Sequence, residues 1–127
     1  MKKVYISGRI SSLPREQYMA YFQKAEDMLT REGFKVVNPT KFVMCRHLWL
    51  YRLLGYELTL LYDLWRLMQC DNIYKMPGWR ESRGAQIEAC VAYHFKVWPV
   101  PQKIIDRVNK KMEKLIIKTE NKNEKEE

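Results

Sequence analysis

One carboxylate in this 127-residue chain sits where packing has no use for a charge. Glu88 is the only formally charged side chain between Gly84 and Phe95, and it lies among Ala85, Ile87, Ala89, Cys90, Val91 and Ala92. Those neighbours predict a largely buried helix. The positions three and four away hold Ala85, Val91, Gly84 and Ala92, so the helix itself offers no basic partner. A carboxylate in such a setting is paired from another element, shifted in pKa, or used in chemistry. The start of the helix adds to the case. Ser82 follows Pro77 and Gly78 and is a good N-cap, and the free N–H groups of a helix N-terminus bind anions. Gly84 lies one turn before Glu88 on the same face, and helical side chains lean toward the N-terminus, so space is left above the acid. An anion cradle over a carboxylate suits a phosphorylated sugar whose reactive carbon lies beside the acid.

The elements that must position Glu88 alternate along the chain. Residues 2–7 form a β-rich run ending at Gly8, and 34–38 form a second one closed by Pro39. Between them, Pro14 opens a helix in which Tyr18, Phe22, Ala25, Met28 and Leu29 recur at helical spacing, until Gly33 stops it. Residues 40–55 read as a loop with a short helix, or as a helical flap, broken at Gly55. A clearer helix covers Tyr56 to Gln69 with Leu60, Leu61, Leu64, Leu67 and Met68 as its buried stripe. Asp71 to Met76 is a third strand, 81–95 the helix of Glu88, Lys96 to Pro99 a short fourth strand, and 102–117 a last helix. This order predicts a flavodoxin-like three-layer α/β sandwich, with four to five parallel strands and helices on both faces. Residues 1–118 form one domain, and 119–127, which lack any apolar residue, are expected to be disordered.

Right-handed crossovers bring the loops after strands one and three together at the carboxyl edge of the sheet, where such folds bind ligands. Gly8 and Arg9 lie in the first loop, and Trp79 and Ser82 in the second. These carry the backbone, guanidinium and hydroxyl groups that a phosphate or sugar would use, and Trp79 could stack on a base. Neither a GxGxxG fingerprint nor a Walker lysine motif is present, so no dinucleotide or nucleoside triphosphate is indicated.

Composition narrows the class. The apolar runs are too short and too interrupted by charge to span a bilayer, and the N-terminus reads as a strand rather than a signal peptide. Three scattered cysteines suggest neither a disulfide framework nor a zinc knuckle, and Cys45 with His47 has no second pair of ligands. The expected protein is cytoplasmic, without metal or cofactor. The net charge is +8, of which residues 103–127 carry +2 and the body +6. No basic face with interleaved aromatics emerges from the spacing, so an anionic small ligand is favoured over nucleic acid.

The residues also resemble a family. YISGRI at 5–10, DLWRLMQCDNIY at 63–74 and SRGAQIE at 82–88 look like signature blocks of the nucleoside 2-deoxyribosyltransferase superfamily. They are similar above all to its DUF4406 branch, and also to the 2'-deoxynucleoside 5'-phosphate N-hydrolases. The resemblance covers roughly residues 3–100. It implies Glu88 as the nucleophile that attacks the anomeric carbon and Asp63 as the residue that helps bind and activate the substrate. It implies Ser82 as a contact to the 5' end and Tyr5 as a lining residue. Arg9 departs from the hydrolases, which carry a small residue there. Residues alone leave plainer roles open: an i,i+3 pair with Arg66 for Asp63, and core filling for Tyr5. Two rival functions stand beside glycosidic cleavage, a non-catalytic nucleotide sensor and a basic nucleic-acid-associated protein. Four tryptophans, eight tyrosines and an apolar segment at 42–61 also predict a homo-oligomer.

Overall fold

The computed structural model describes residues 2–9, 13–41 and 48–126. Four strands form an all-parallel sheet: β1 (Lys3–Ser7), β2 (Lys35–Val37), β3 (Asn72–Lys75) and β4 (Trp98–Pro99), in the order β2-β1-β3-β4. Strands β1 and β3 are paired on both sides, and in β1 Val4, Tyr5, Ile6 and Ser7 are all fully buried. Tyr5 lies opposite Val37 of β2 and Ile73 of β3. Four helices cover the sheet: α1 (Arg15–Arg31), α2 (Leu48–Met68), α3 (Arg83–His94) and α4 (Gln102–Glu126). This is the three-layer α/β sandwich expected from the sequence.

The layers follow from the alternation of side chains along β1. Val4 and Ile6 point into a core with Phe22, Ala25 and Leu29 of α1 and Val108 and Met112 of α4. Tyr5 points the other way, into a second core with Leu67 of α2, Ala92 of α3, Ile73 and Val97. Full burial of Phe22 and Leu29 is worth roughly 1.5–3 kcal/mol each, so the first core is the main source of stability. The second core contains fewer large residues, and it is the one that also holds polar groups.

Several element boundaries have a local physical cause. The helical run 48–68 is kinked at Gly55, whose φ of 84° and ψ of 165° lie outside the range that side-chain-bearing residues adopt easily. The expected break at Gly55 is therefore present, with helix on both sides of it. Lys96 has a φ of 60°, which turns the chain sharply after α3 and leaves β4 only two residues long. Asp71 fixes the start of β3 by accepting a hydrogen bond from Lys3 N at 2.9 Å. The last helix corrects an expectation. It continues through the charged segment to Glu126, because nothing after Pro101 breaks it and Lys and Glu are good helix formers. No helix among the described residues is long and apolar enough to cross a membrane. Residues 10–12 and 42–47, with Cys45 and His47 and part of the expected flap, lie outside the described residues.

Candidate active site

The second core holds a polar centre built by one strand and two helices. At the carboxyl end of β1, Tyr5 and Ser7 both face α2 and α3, and both are fully buried. Helix α3 starts at Ser82, whose Oγ accepts a hydrogen bond from Ala85 N at 3.3 Å, as a side-chain cap should. The cap fixes the helix so that Ala85, Glu88 and Ala92 face the sheet. Glu88 is 7% exposed.

Each carboxyl oxygen of Glu88 receives a hydrogen bond from β1. The Tyr5 hydroxyl donates to Oε2 in a short contact, and Ser7 Oγ donates to Oε1 at 3.0 Å. No cation faces it among the hydrogen bonds and ion pairs of the described residues. Burial pushes the Glu88 carboxyl up to about 7, while the bonds from Tyr5 and Ser7 hold it from rising further.

Asp63 approaches from α2. Its Oδ1 is buried with no hydrogen-bond partner among the described residues. Burial, and then the negative charge of Glu88, push its carboxyl up to about 8. The two acids are thus within electrostatic reach, and burial holds both carboxyls above the ordinary carboxylate range, so the pair titrates near neutral pH. Two carboxyls that interact in this way at a partly buried site can divide acid and base roles between them. The buried thiol nearby, Cys70, is no competing nucleophile, since burial pushes it up to about 11.

The other expected site residues are placed as follows. Gly84 lies in the first turn of α3, one turn above Glu88. The space beside Gly8 is taken by packing: a Cβ there would lie 2.4 Å from Met76 Cε and 3.4 Å from Phe22 Cζ. Arg9 pairs with Glu81 at 3.1 Å, tying the loop after β1 to the turn after β3. It lines a cleft of about 290 Å³ with Leu13, Tyr21, Met76 and Ile116, on the α1/α4 side of the sheet. Trp79 lies beside a different face of α3 from Glu88, in a shallow depression with Gln86, Ala89, Cys90 and Tyr93. Lys75 Nζ and Arg80 Cζ stand 4.7 and 5.4 Å from its ring. Glu88, Asp63 and Tyr5 are therefore brought together, with Ser82 and Gly84 at the head of the same helix, whereas Arg9, Gly8 and Trp79 face elsewhere.

Ser7 was not singled out from the sequence. The signal was there: two residues after Tyr5 in an alternating strand, it shares the face of Tyr5, and it is the one small hydroxyl in an apolar run. No group of three or more metal-ligating side chains occurs among the described residues.

A family profile described as a domain of unknown function, DUF4406, matches residues 2–98. No curated protein and no solved structure matches the chain. The matched span begins before β1 and ends in β4, so it includes every residue of the polar centre, and the chain belongs to the DUF4406 family.

Proposed function

We propose that the protein cleaves or transfers at the N-glycosidic bond of a nucleoside or nucleoside 5'-monophosphate, with Glu88 as nucleophile and Asp63 as acid. One observation carries this reading: a buried Glu88, gripped by two neutral hydroxyl donors, stands within electrostatic reach of half-buried Asp63, whose buried Oδ1 has no hydrogen-bond partner among the described residues. A structural acid at such depth is normally neutralised by a cation. Among the described residues no cation pairs with Glu88, and its charge is available for a developing positive carbon.

In the proposed reaction a lone pair of Glu88 forms a bond to the anomeric carbon. The C–N bond breaks, its electron pair passes to the base, and the base takes the proton of Asp63. The glycosyl ester then passes its sugar to water or to a second base. The head of α3, with Ser82 and Gly84, would receive the 5' end of the substrate. The same reading includes self-association through α2, which exposes Leu58, Leu61, Trp65 and Met68 along one face.

The test is incubation with a panel of nucleosides and 5'-monophosphates, with released base separated by chromatography. The wild type is expected to release base from at least one member. Glu88→Gln keeps the shape but cannot form the ester, and should lose several orders of magnitude, roughly 4 kcal/mol or more of barrier. Wild-type turnover by Glu88→Gln would overturn the nucleophile. Nucleotide binding without any cleavage would make the site a sensor.

A further inference from the structure

The clamp on Glu88 has two jaws of different kinds. Tyr5 is a large ring whose burial in the second core has its own packing value. Ser7 is not. Its side chain is small, it is fully buried, and its one hydrogen bond among the described residues goes to Glu88. Its backbone is held rigidly: Ser7 C=O accepts from Met76 N at 2.8 Å, and Ser7 pairs with Lys75 of β3. A hydroxyl mounted on the central strand in this way has one chemical use.

We infer that Ser7 is a positioning residue for Glu88, fixing Oε1 while Tyr5 fixes Oε2, so that the plane of the carboxylate is set by β1 alone. Tethering both oxygens to residues two apart on one strand removes rotation about the last side-chain torsion. That torsion is otherwise broad. The remaining lone pairs then point in constant directions, which is what attack on a single carbon requires. A neutral donor also favours the charged form of the acid it binds. Among the described residues, the other titratable groups facing Glu88 are Tyr5 from β1 and Asp63 from α2, while β3 brings the uncharged Ile73. Loss of the Ser7 hydroxyl therefore raises the proton affinity of Glu88, and none of these residues replaces it.

This inference rests on Glu88 as the nucleophile for its purpose, but its test does not need turnover. The full-length protein labelled with carboxyl ¹³C in Glu is titrated by NMR, with the Glu88 signal assigned by its loss in Glu88→Gln. Ser7→Ala should move the Glu88 midpoint upward by roughly one pH unit, the worth of a charge-assisted hydrogen bond. Ser7→Cys keeps nearly the same volume with a weak donor, so it should move the midpoint in the same direction. It also serves if Ser7→Ala fails to fold. If a substrate is found, kcat/KM of Ser7→Ala should fall about tenfold on the acid side and less above it. A midpoint that stays at its wild-type value in both variants overturns the inference, as does a shift in Ser7→Ala that is absent in Ser7→Cys, which would mean packing. Failure of the wild type to cleave anything would remove the proposed reaction while leaving the Ser7 measurement intact.

Discussion

Asp63 and Glu88 share a setting and differ in what touches them, and the proposed reaction uses that difference. Glu88 receives two hydroxyl donors, which favour its anion, while Asp63 Oδ1 receives none among the described residues and sits in the field of Glu88. In the proposed reaction the two hydroxyl donors keep the charge on Glu88 and leave the proton to Asp63. Asp63→Asn removes the transferable proton while keeping the shape, and should slow cleavage by roughly 10²–10⁴-fold, the usual worth of general acid catalysis. The loss should be smallest for nucleosides whose base departs readily without protonation. Rates measured across bases of graded leaving ability check this, and a uniform loss across the series would place Asp63 in binding rather than in proton transfer.

At the scale of elements, α3 and α2 each do two jobs. Ser82 caps α3 and buries its hydroxyl at the helix start, so Ser82→Ala should cost about 1 kcal/mol of stability by denaturant titration. In the proposed reaction the same change should weaken 5'-monophosphates more than free nucleosides, since only the former carry the anion. Helix α2 turns Asp63 and Leu67 inward and leaves Leu58, Leu61, Trp65 and Met68 outward, at spacings of three, four and three. That is the pattern of a helix seam with a partner. Leu61, 60% exposed, is its most open member. Light scattering at tens of micromolar should find an oligomer, on the scale of ordinary protein association. Leu61→Glu together with Trp65→Glu should convert it to monomer with the fold retained. A monomeric wild type under these conditions removes the prediction.

For the molecule as a whole, the two acids make folding stability depend on pH. Both carboxyls bind protons more tightly in the folded chain, at about 7 and about 8, than the ordinary values of 4.5 and 3.8 that the unfolded chain restores. Between those values the native state holds more protons, so stability is full below about pH 4 and declines as pH rises through 7 and 8. Glu88→Gln and Asp63→Asn remove the ionisation that folding opposes. Each should therefore gain on the wild type as pH rises, by about 1–3 kcal/mol at pH 8.5 and little at pH 4. Urea midpoints of the three proteins across this range check it. A constant difference at all pH values would show that neither acid is perturbed by folding.

Local pattern was enough for the alternation of strands and helices, for the break at Gly55, and for Glu88 as a charge without a partner on its own helix. Each of these depends on residues near in sequence: β-branched runs, apolar spacing, a glycine with a backbone no other residue adopts easily. The order of blocks also linked Asp63, Tyr5 and Ser82 with Glu88, through likeness to a family. What only the tertiary structure decided is which way loop side chains turn. Arg9, Gly8 and Trp79 share the carboxyl edge with Glu88, yet ion pairing with Glu81, packing against Met76 and cation contacts with Lys75 and Arg80 direct them elsewhere. Those partners are distant in the chain or set by turn geometry, so no spacing rule reveals them. Ser7 is the converse case. Its alternation with Tyr5 was legible, but its purpose appears only when α3, more than seventy residues later, lays Glu88 across the end of β1. The final turns of α4 belong here too, since polar composition spoke for disorder while the folded helix simply continues through residues that favour it.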